Sequence, residues 1–406
     1  MSSLQLLQRS GGRLAAEISR THGAGHGVIA TRAVSPGEVL LRVPRALWLP
    51  SSAAAAREAA GRAAAVRMDC AVEALGGAAT QLADAALLAA QVAADVKREA
   101  AAYVEELPAA LDLPLLWRAE LRAVLLQGTS CYAACQRQVE VSDALYDALD
   151  GRSAWSAGDL LSKAEFRWGQ ALLLSRAHSG AGKPFALVPL LDFLNHAGSA
   201  AGASVRFAPA DEAFELVAER EHAAGEELFI DYGVRGSHVL LRKYGFVMGG
   251  GGEASVSPAH EAAAAIDEEV LLRVGSPAGG DTQRDAADAS PGDRRPAKAP
   301  SALVLRMRWE TPPSGTTRGQ VALPLPQLDT AAGVRAAEAI GVALEQRLDE
   351  HLPGYEACKA VLQMPDDSLG DVSAKRRARL CQQLHEREMK LLATAREQII
   401  EALRSR

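Results

Sequence analysis

A few short stretches of the chain carry side chains able to do chemistry. Gly23-Ala24-Gly25-His26-Gly27 lies between strand-like segments, where glycine permits positive φ and close approach of a ligand to the backbone. An ordinary hairpin turn uses glycine in the same way, and the absence of a following long helix excludes a dinucleotide fingerprint. Leu191-Asp192-Phe193-Leu194-Asn195-His196 follows an apolar run. An Asn and a His at the end of a buried strand need partners, because burying them unpaired costs roughly 1–3 kcal/mol each. Either a core network or a ligand satisfies that need. Glu227-Leu228-Phe229-Ile230-Asp231-Tyr232-Gly233 is followed closely by Tyr244-Gly245-Phe246, in a chain that is only 4% aromatic. Strand aromatics belong to the core in the ordinary case. Cys131 and Cys135 lack a second Cys or His pair to complete a tetrahedral zinc site, so no metal is expected there.

The elements around these residues follow from pattern. Residues 13–50 read as short strands and turns, with Ser35-Pro36-Gly37-Glu38 as one turn. Residues 51–158 are dominated by Ala, Leu, Arg, Glu and Gln and read as helices. Strand character returns within 159–248, at FALVPLLDFLNH, SVRF, AFELVAE and EELFIDY, so a helical block interrupts a β core. Residues 253–406 read as largely helical. There Leu380, Leu384, Leu391, Ala395, Ile399 and Leu403 fall on one face of a long helix. The stretch 275–301 has almost no bulky apolar residue and is expected to be a disordered loop.

Composition narrows the function. With 44 Lys and Arg against 50 Asp and Glu, the net charge is −6, the opposite of an electrostatic nucleic-acid binder. Five scattered cysteines suit a reducing compartment rather than a disulfide framework. No apolar run reaches the roughly 20 residues of a membrane helix. The start, MSSLQLLQRSGGRL, is too short for a clear secretory or organelle signal. The expectation is a soluble intracellular monomer of the cytoplasm or nucleus, to which the family resemblance described next adds the plastid stroma.

Taken in order, the glycine turn, the Asn-His pair and the Tyr-Gly and Tyr-Gly-Phe motifs resemble the SET-domain methyltransferases. The chain is similar, more narrowly, to the branch typified by the plant ribulose bisphosphate carboxylase large-subunit lysine methyltransferase, which includes the actin histidine methyltransferase. HGVIATRAVSPGEVLLRVP, YVEELP, LQGT and FRWGQALLLSR agree with that branch. The resemblance implies an α+β protein: a β-rich SET fold with an inserted helical segment, followed by an all-α C-terminal substrate-binding domain. It implies S-adenosylmethionine as cofactor, held by Gly25, His26, Gly27, Arg176, Asn195, His196, Tyr232 and Phe246, with Arg176 on the methionine carboxylate. Tyr232 is implied as the catalytic residue, and Arg176, Tyr232 and Tyr244 as the substrate-binding set. The implied reaction is methylation of a lysine on a non-histone protein; histidine methylation and a non-catalytic interaction module are the alternatives. Where the family has an aromatic after Ser-Arg this chain has His178, and His238 replaces an Asn after the second motif. Both bear on channel shape and substrate choice. No cysteine follows Phe246 until Cys358, which excludes a zinc-closed site.

Overall fold

The computed structural model describes residues 16–21, 25–48, 53–75, 79–97, 107–108, 111–149, 161–180, 183–233, 235–247, 269–274, 303–310, 320–322, 326, 328–365 and 373–405. It divides into two compact units: Met1–Ala119 with Ala133–Ala265, and Glu120–Tyr132 with Ile266–Arg406.

In the first unit, β1 (Ala16–Thr21) and β2 (Gly25–Ala30) form an antiparallel hairpin that puts Gly25 opposite Thr21 and Gly27 opposite Ser19. The next strand in this sheet is β9 (Glu227–Ile230), antiparallel to β2. Beyond it lies β6 (Asn195–His196), parallel to β9 with Asn195 opposite Phe229 and His196 opposite Ile230. A second sheet has the order β3 (Val39–Pro44), β8 (Ala213–Ala218), β7 (Ala203–Ala208). All of β8 is buried, as befits a central strand. Its Glu215 is tolerated there because Arg42 approaches to 2.5 Å and Arg206 to 2.7 Å. Burial raises the Glu215 pKa, but these bonds outweigh that and hold it below the usual carboxylate value. A smaller ribbon pairs β4 (His178–Gly180) with β5 (Lys183–Ala186).

Helices α1 (Ala53–Ala60), α2 (Arg62–Ala74) and α3 (Ala79–Lys97) form the interrupting block and share one core with the strands. After α4 (Ala119–Leu126) and α5 (Ser130–Leu149), α6 (Lys163–Arg176) opens on a capping box in which Ser162 and Glu165 satisfy each other's backbone N–H. It packs closely on α3 because Gly169 has no side chain. A Cβ there would lie 2.3 Å from the Ala89 carbonyl oxygen. Helix α7 (Ser237–Tyr244) ends on Gly245 at φ +78°, where a Cβ would lie 2.7 Å from the Asp112 carbonyl oxygen.

The second unit corrects the expectation of an all-α C-terminal domain. Strands β10 (Glu269–Val274), β11 (Leu303–Glu310) and β12 (Gln320–Ala322) form an antiparallel sheet in that order. The period-two text of LVLRMRWE explains β11. The sheet packs with α8 (Ala331–Gln363) and α9 (Ala374–Arg404) around Met307, Val321, Ile340, Leu344, Leu391 and Ile399. The face expected on α9 is the buried one, with Leu403 at its margin half-buried. Residues 120–132, which the sequence assigns to the inserted helices, belong with this unit. The loop expected at 275–301 lies outside the described residues.

A polar network closes this unit internally. His385 Nε2 lies 3.0 Å from the Leu125 carbonyl oxygen, which can only accept, so that nitrogen carries the proton. Its Nδ1 is then the acceptor for His351 Nδ1, 3.0 Å away. His351 Nε2 lies 3.5 Å from Glu388, whose Oε2 accepts from the Ser130 N–H at 2.8 Å. Both imidazoles and Glu388 are fully buried. Burial, aided by neighbouring positive charge, pushes the pKa of His351 down to about 3; burial likewise pushes His385 down to about 4. No described helix is long and apolar enough to cross a membrane.

Candidate active site

Five elements converge in the first unit: β2, β6, the end of β9 and the C-terminal ends of α6 and α7. Leu190, at φ +71°, takes a left-handed conformation that leucine rarely adopts, and a 3-10 turn over Leu191–Phe193 follows. That turn presents Asp192 and Phe193 to the last turn of α6. Arg176 donates from Nη1 to the Asp192 carbonyl oxygen at 2.7 Å, lies 3.6 Å from the Asp192 carboxylate, and covers the Phe193 ring at 5.2 Å. The arginine is thus held by the protein on one edge, while its Nε is buried with no hydrogen-bond partner among the described residues.

Asn195 and His196 do different work on their two-residue strand. Asn195 Nδ2 donates to the Glu227 carboxylate at 2.7 Å and to the His26 carbonyl oxygen at 3.1 Å. His196 is buried, and its Nδ1 accepts from the Tyr232 N–H at 3.0 Å and the Gly198 N–H at 3.3 Å. An acceptor Nδ1 means a neutral ring protonated on Nε2. Burial likewise holds the His196 pKa below its ordinary value, against the pull of Asp231. The imidazole is therefore a fixed bracket for the backbone at Tyr232.

Tyr232 joins two groups of residues. Its ring stacks on His196 with centroids 4.9 Å apart and tilts against Tyr244 at 4.6 Å, and its hydroxyl donates to the Leu194 carbonyl oxygen at 2.5 Å. Burial drives its pKa well above the usual phenol value, so the hydroxyl keeps its proton. On one side lie Arg176, Asp192, Ile230, Tyr244 and His178, lining a cleft of about 290 Å³. On the other lies His196, with Phe246 beyond it. Phe246 meets His196 at 6.0 Å and Tyr244 at 6.2 Å but does not line the cleft.

The expected residues are therefore brought together, in two sets rather than one. Arg176, Tyr232 and Tyr244 line the cleft; His196 stacks on Tyr232, Phe246 meets His196 and Tyr244, and Asn195 bonds the carbonyl of His26, between Gly25 and Gly27 on β2. Gly27 is buried in β2, whereas the His26 side chain is exposed and meets the edge of Phe193 at 6.1 Å. Of the two departures, His178 is in the cleft wall and tilts against Phe214 at 5.8 Å. His238 does not line it, and burial beside Arg242 pushes its pKa down to about 4. Asp192 and Glu227 are participants that motif matching passes over, although both sit inside the motifs. Among the described residues no cluster of three or more His, Cys, Asp or Glu is arranged for a metal ion, and Cys131 and Cys135 are buried.

A two-residue parallel strand beside the strand that delivers a tyrosine, with an aromatic-walled cleft at their end, defines a distinctive class of fold. The SET-domain family model matches residues 25–233, and the chain belongs to that family. The reaction class of the family is S-adenosylmethionine-dependent protein methylation. Among solved structures, the SET domain of LSMT bound to lysine and AdoHcy is 16% identical, with a TM-score of 0.61 and coverage of 98% of this chain and 90% of that one. Rubisco LSMT bound to sinefungin and monomethyllysine is 15% identical, with a TM-score of 0.59 and coverage of 98% and 90%. Rubisco LSMT bound to AdoMet gives 15%, 0.59, 98% and 91%. At this identity the likeness is one of fold. Comparison with curated protein sequences gives no match.

The residues fit the cofactor of that family. A zwitterionic amino acid bearing a sulfonium needs a cation for its carboxylate, an acceptor for its ammonium and an aromatic face for its sulfur. Arg176 has an unpartnered buried Nε, Asn195 has both N–H groups engaged and its oxygen to spare, and Tyr232 supplies the face.

Proposed function

We propose that this chain is a protein-lysine N-methyltransferase acting on a non-histone protein, with Tyr232 as its catalytic residue. The carrying observation is the aromatic-walled cleft: the Tyr232 and Tyr244 rings stand 4.6 Å apart at its wall, and of the two carboxylates that line it, Asp192 lies 3.6 Å from Arg176 while Asp231 is about half exposed to solvent. The LSMT structures hold lysine or monomethyllysine, and this cleft suits the same side chain.

S-adenosylmethionine, when bound, supplies an electrophilic methyl group on a sulfonium. Arg176, Asn195, His196 and Phe246, with β2 around Gly25 and Gly27, would hold it. A lysine amine has a pKa near 10.4 in water and is mostly protonated at neutral pH, so it cannot attack in that form. Within the cleft, two aromatic rings tolerate the entering ammonium while desolvation favours its loss of a proton. Because Arg176 neutralises Asp192, that carboxylate does not anchor the lysine in its charged state. The Tyr232 hydroxyl, fixed by Leu194 and by the His196 bracket, then orients the neutral nitrogen. Alignment of two held partners supplies the main rate advantage. We assign residues 13–50 and 159–248 to the SET core, 51–158 apart from 120–132 to its insertion, and the C-terminal unit, 120–132 with the sheet and helices of 253–406, to docking of the protein substrate.

The test is methyl labelling of a cell lysate by the purified protein, with the modified residue identified by mass spectrometry. Label on lysine is expected, and a Tyr232→Phe variant should lose about 100-fold or more of the rate. Label on histidine, or full activity of that variant, overturns the assignment.

A further inference from the structure

We propose that Glu227 is a positioning residue that sets which end of the Asn195 amide faces the cofactor. An amide side chain has a donor end and an acceptor end of nearly the same shape, and only its partners decide which way it turns. Both partners of Asn195 Nδ2 are acceptors: the Glu227 carboxylate at 2.7 Å and the His26 carbonyl oxygen at 3.1 Å. The carbonyl alone is a weak selector, since rotation would merely forfeit one neutral bond. An ionised carboxylate both rewards the nitrogen with a charge-assisted bond and repels the amide oxygen. The sheet brings the two side chains to one place: Glu227 begins β9, opposite Ile29 of β2, and Asn195 begins β6 on the other side of β9, opposite Phe229, two residues along the same strand. Asn195 Oδ1 is thereby left as an acceptor, the polarity that a ligand's ammonium requires.

Glu227 has the properties of a selector rather than a surface charge. It is half-buried, and desolvation raises its pKa while the bond from Asn195 pulls the other way. Once protonated, its O–H can donate to Asn195 Oδ1, and the preference for one amide orientation is lost. The neighbouring ionisable groups are His26 on β2, His196 on β6, and Asp231 and Tyr232 after β9, all of which a change at 227 leaves in place.

This inference rests on the cofactor reading above, and calorimetric titration with S-adenosylmethionine separates the two. In wild type, affinity should fall as pH drops through the raised Glu227 pKa. Glu227→Gln, whose neutral amide can turn to donate to Asn195 Oδ1 as the protonated acid does, should bind at neutral pH about as weakly as wild type binds below the Glu227 pKa, and should show no acid limb. Glu227→Ala should bind at least about tenfold more weakly at neutral pH. The Gln variant keeps the test intact if the Ala variant fails to fold. Equal binding by wild type and Glu227→Ala, or the same acid limb in wild type and Glu227→Gln, overturns the role of Glu227 alone. Absence of binding by wild type overturns the cofactor reading and the positioning role with it.

Discussion

Each unit contains a polar network built on histidine, and the two are finished differently. In the C-terminal unit His385, His351 and Glu388 run from the Leu125 carbonyl to the Ser130 N–H, and both ends are backbone groups. In the SET unit the His196 bracket and the Asn195–Glu227 pair surround a tyrosine that borders a cleft, and the Asn195 oxygen and Arg176 Nε are left over. A network that ends on backbone tethers elements to one another. One that stops short beside a cleft has valence for a ligand. His351 Nε2 also lacks a hydrogen-bond partner among the described residues, so neither a buried histidine nor an unfinished nitrogen marks function by itself; an unfinished group in the wall of a cleft, as at Arg176, does.

That contrast predicts that changes in the closed network move stability, whereas changes in the open one move binding. The largest effect belongs to Gly128, at the turn between α4 and α5. It sits at φ +86°, and a Cβ there would lie 2.0 Å from the Glu350 carbonyl oxygen. Gly128→Ala combines left-handed strain with a backbone shift and should cost about 3 kcal/mol or more in urea denaturation. A variant as stable as wild type would mean that this turn is not tied to α8. Next comes Asn195→Ala, which removes the acceptor offered to the cofactor. Calorimetry with S-adenosylmethionine should show a loss of about 2 kcal/mol, while the melting temperature changes little. An equal loss of both would erase the distinction between the networks.

A third effect, small near neutral pH and growing as the medium is acidified, is a pH dependence of the closed network. His351 and His385 have pKa values depressed to about 3 and about 4, so the folded unit holds them neutral. In the unfolded chain they take up protons below about pH 6.5. Their contribution is complete above that pH and is lost as pH falls toward 4, by at most about 1.4 kcal/mol per pH unit for each histidine. The protection of the α8 and α9 amides, taken relative to the intrinsic exchange rate at each pH, should fall between about pH 7 and pH 5. A flat profile would show that other groups compensate.

How much of this the sequence announces depends on separation along the chain. The motifs of the SET core are legible because each is contiguous: Leu191–His196, Glu227–Gly233 and Tyr244–Phe246 carry their own order. The α9 face is legible because helical periodicity is local. The C-terminal sheet is less so, because β10 and β11 are short and a polar stretch of low apolar content lies between them. Proline disfavours a helix interior, yet α8 runs through Pro353, and Gly354 beside it admits the Gln127 carbonyl oxygen, which would lie 2.6 Å from a Cβ. The role of Glu227 is hidden for another reason: its type suits an exposed strand edge, and only the register with β6 brings it to Asn195. His351 and His385 look like solvated helix histidines until their helices are packed.

The segment Glu120–Tyr132 has a consequence in time as well as in space. It leaves the ribosome long before its partners, since Ser130 and Glu388 are 258 residues apart. At ordinary synthesis rates the wait is roughly 10–50 s. During that interval Leu125 and Leu126, buried in the finished protein, have no C-terminal helices to meet, although the SET motifs have already been made. The nascent chain thus passes through a stage with its chemistry encoded and its second core still open, when a chaperone would find most to bind.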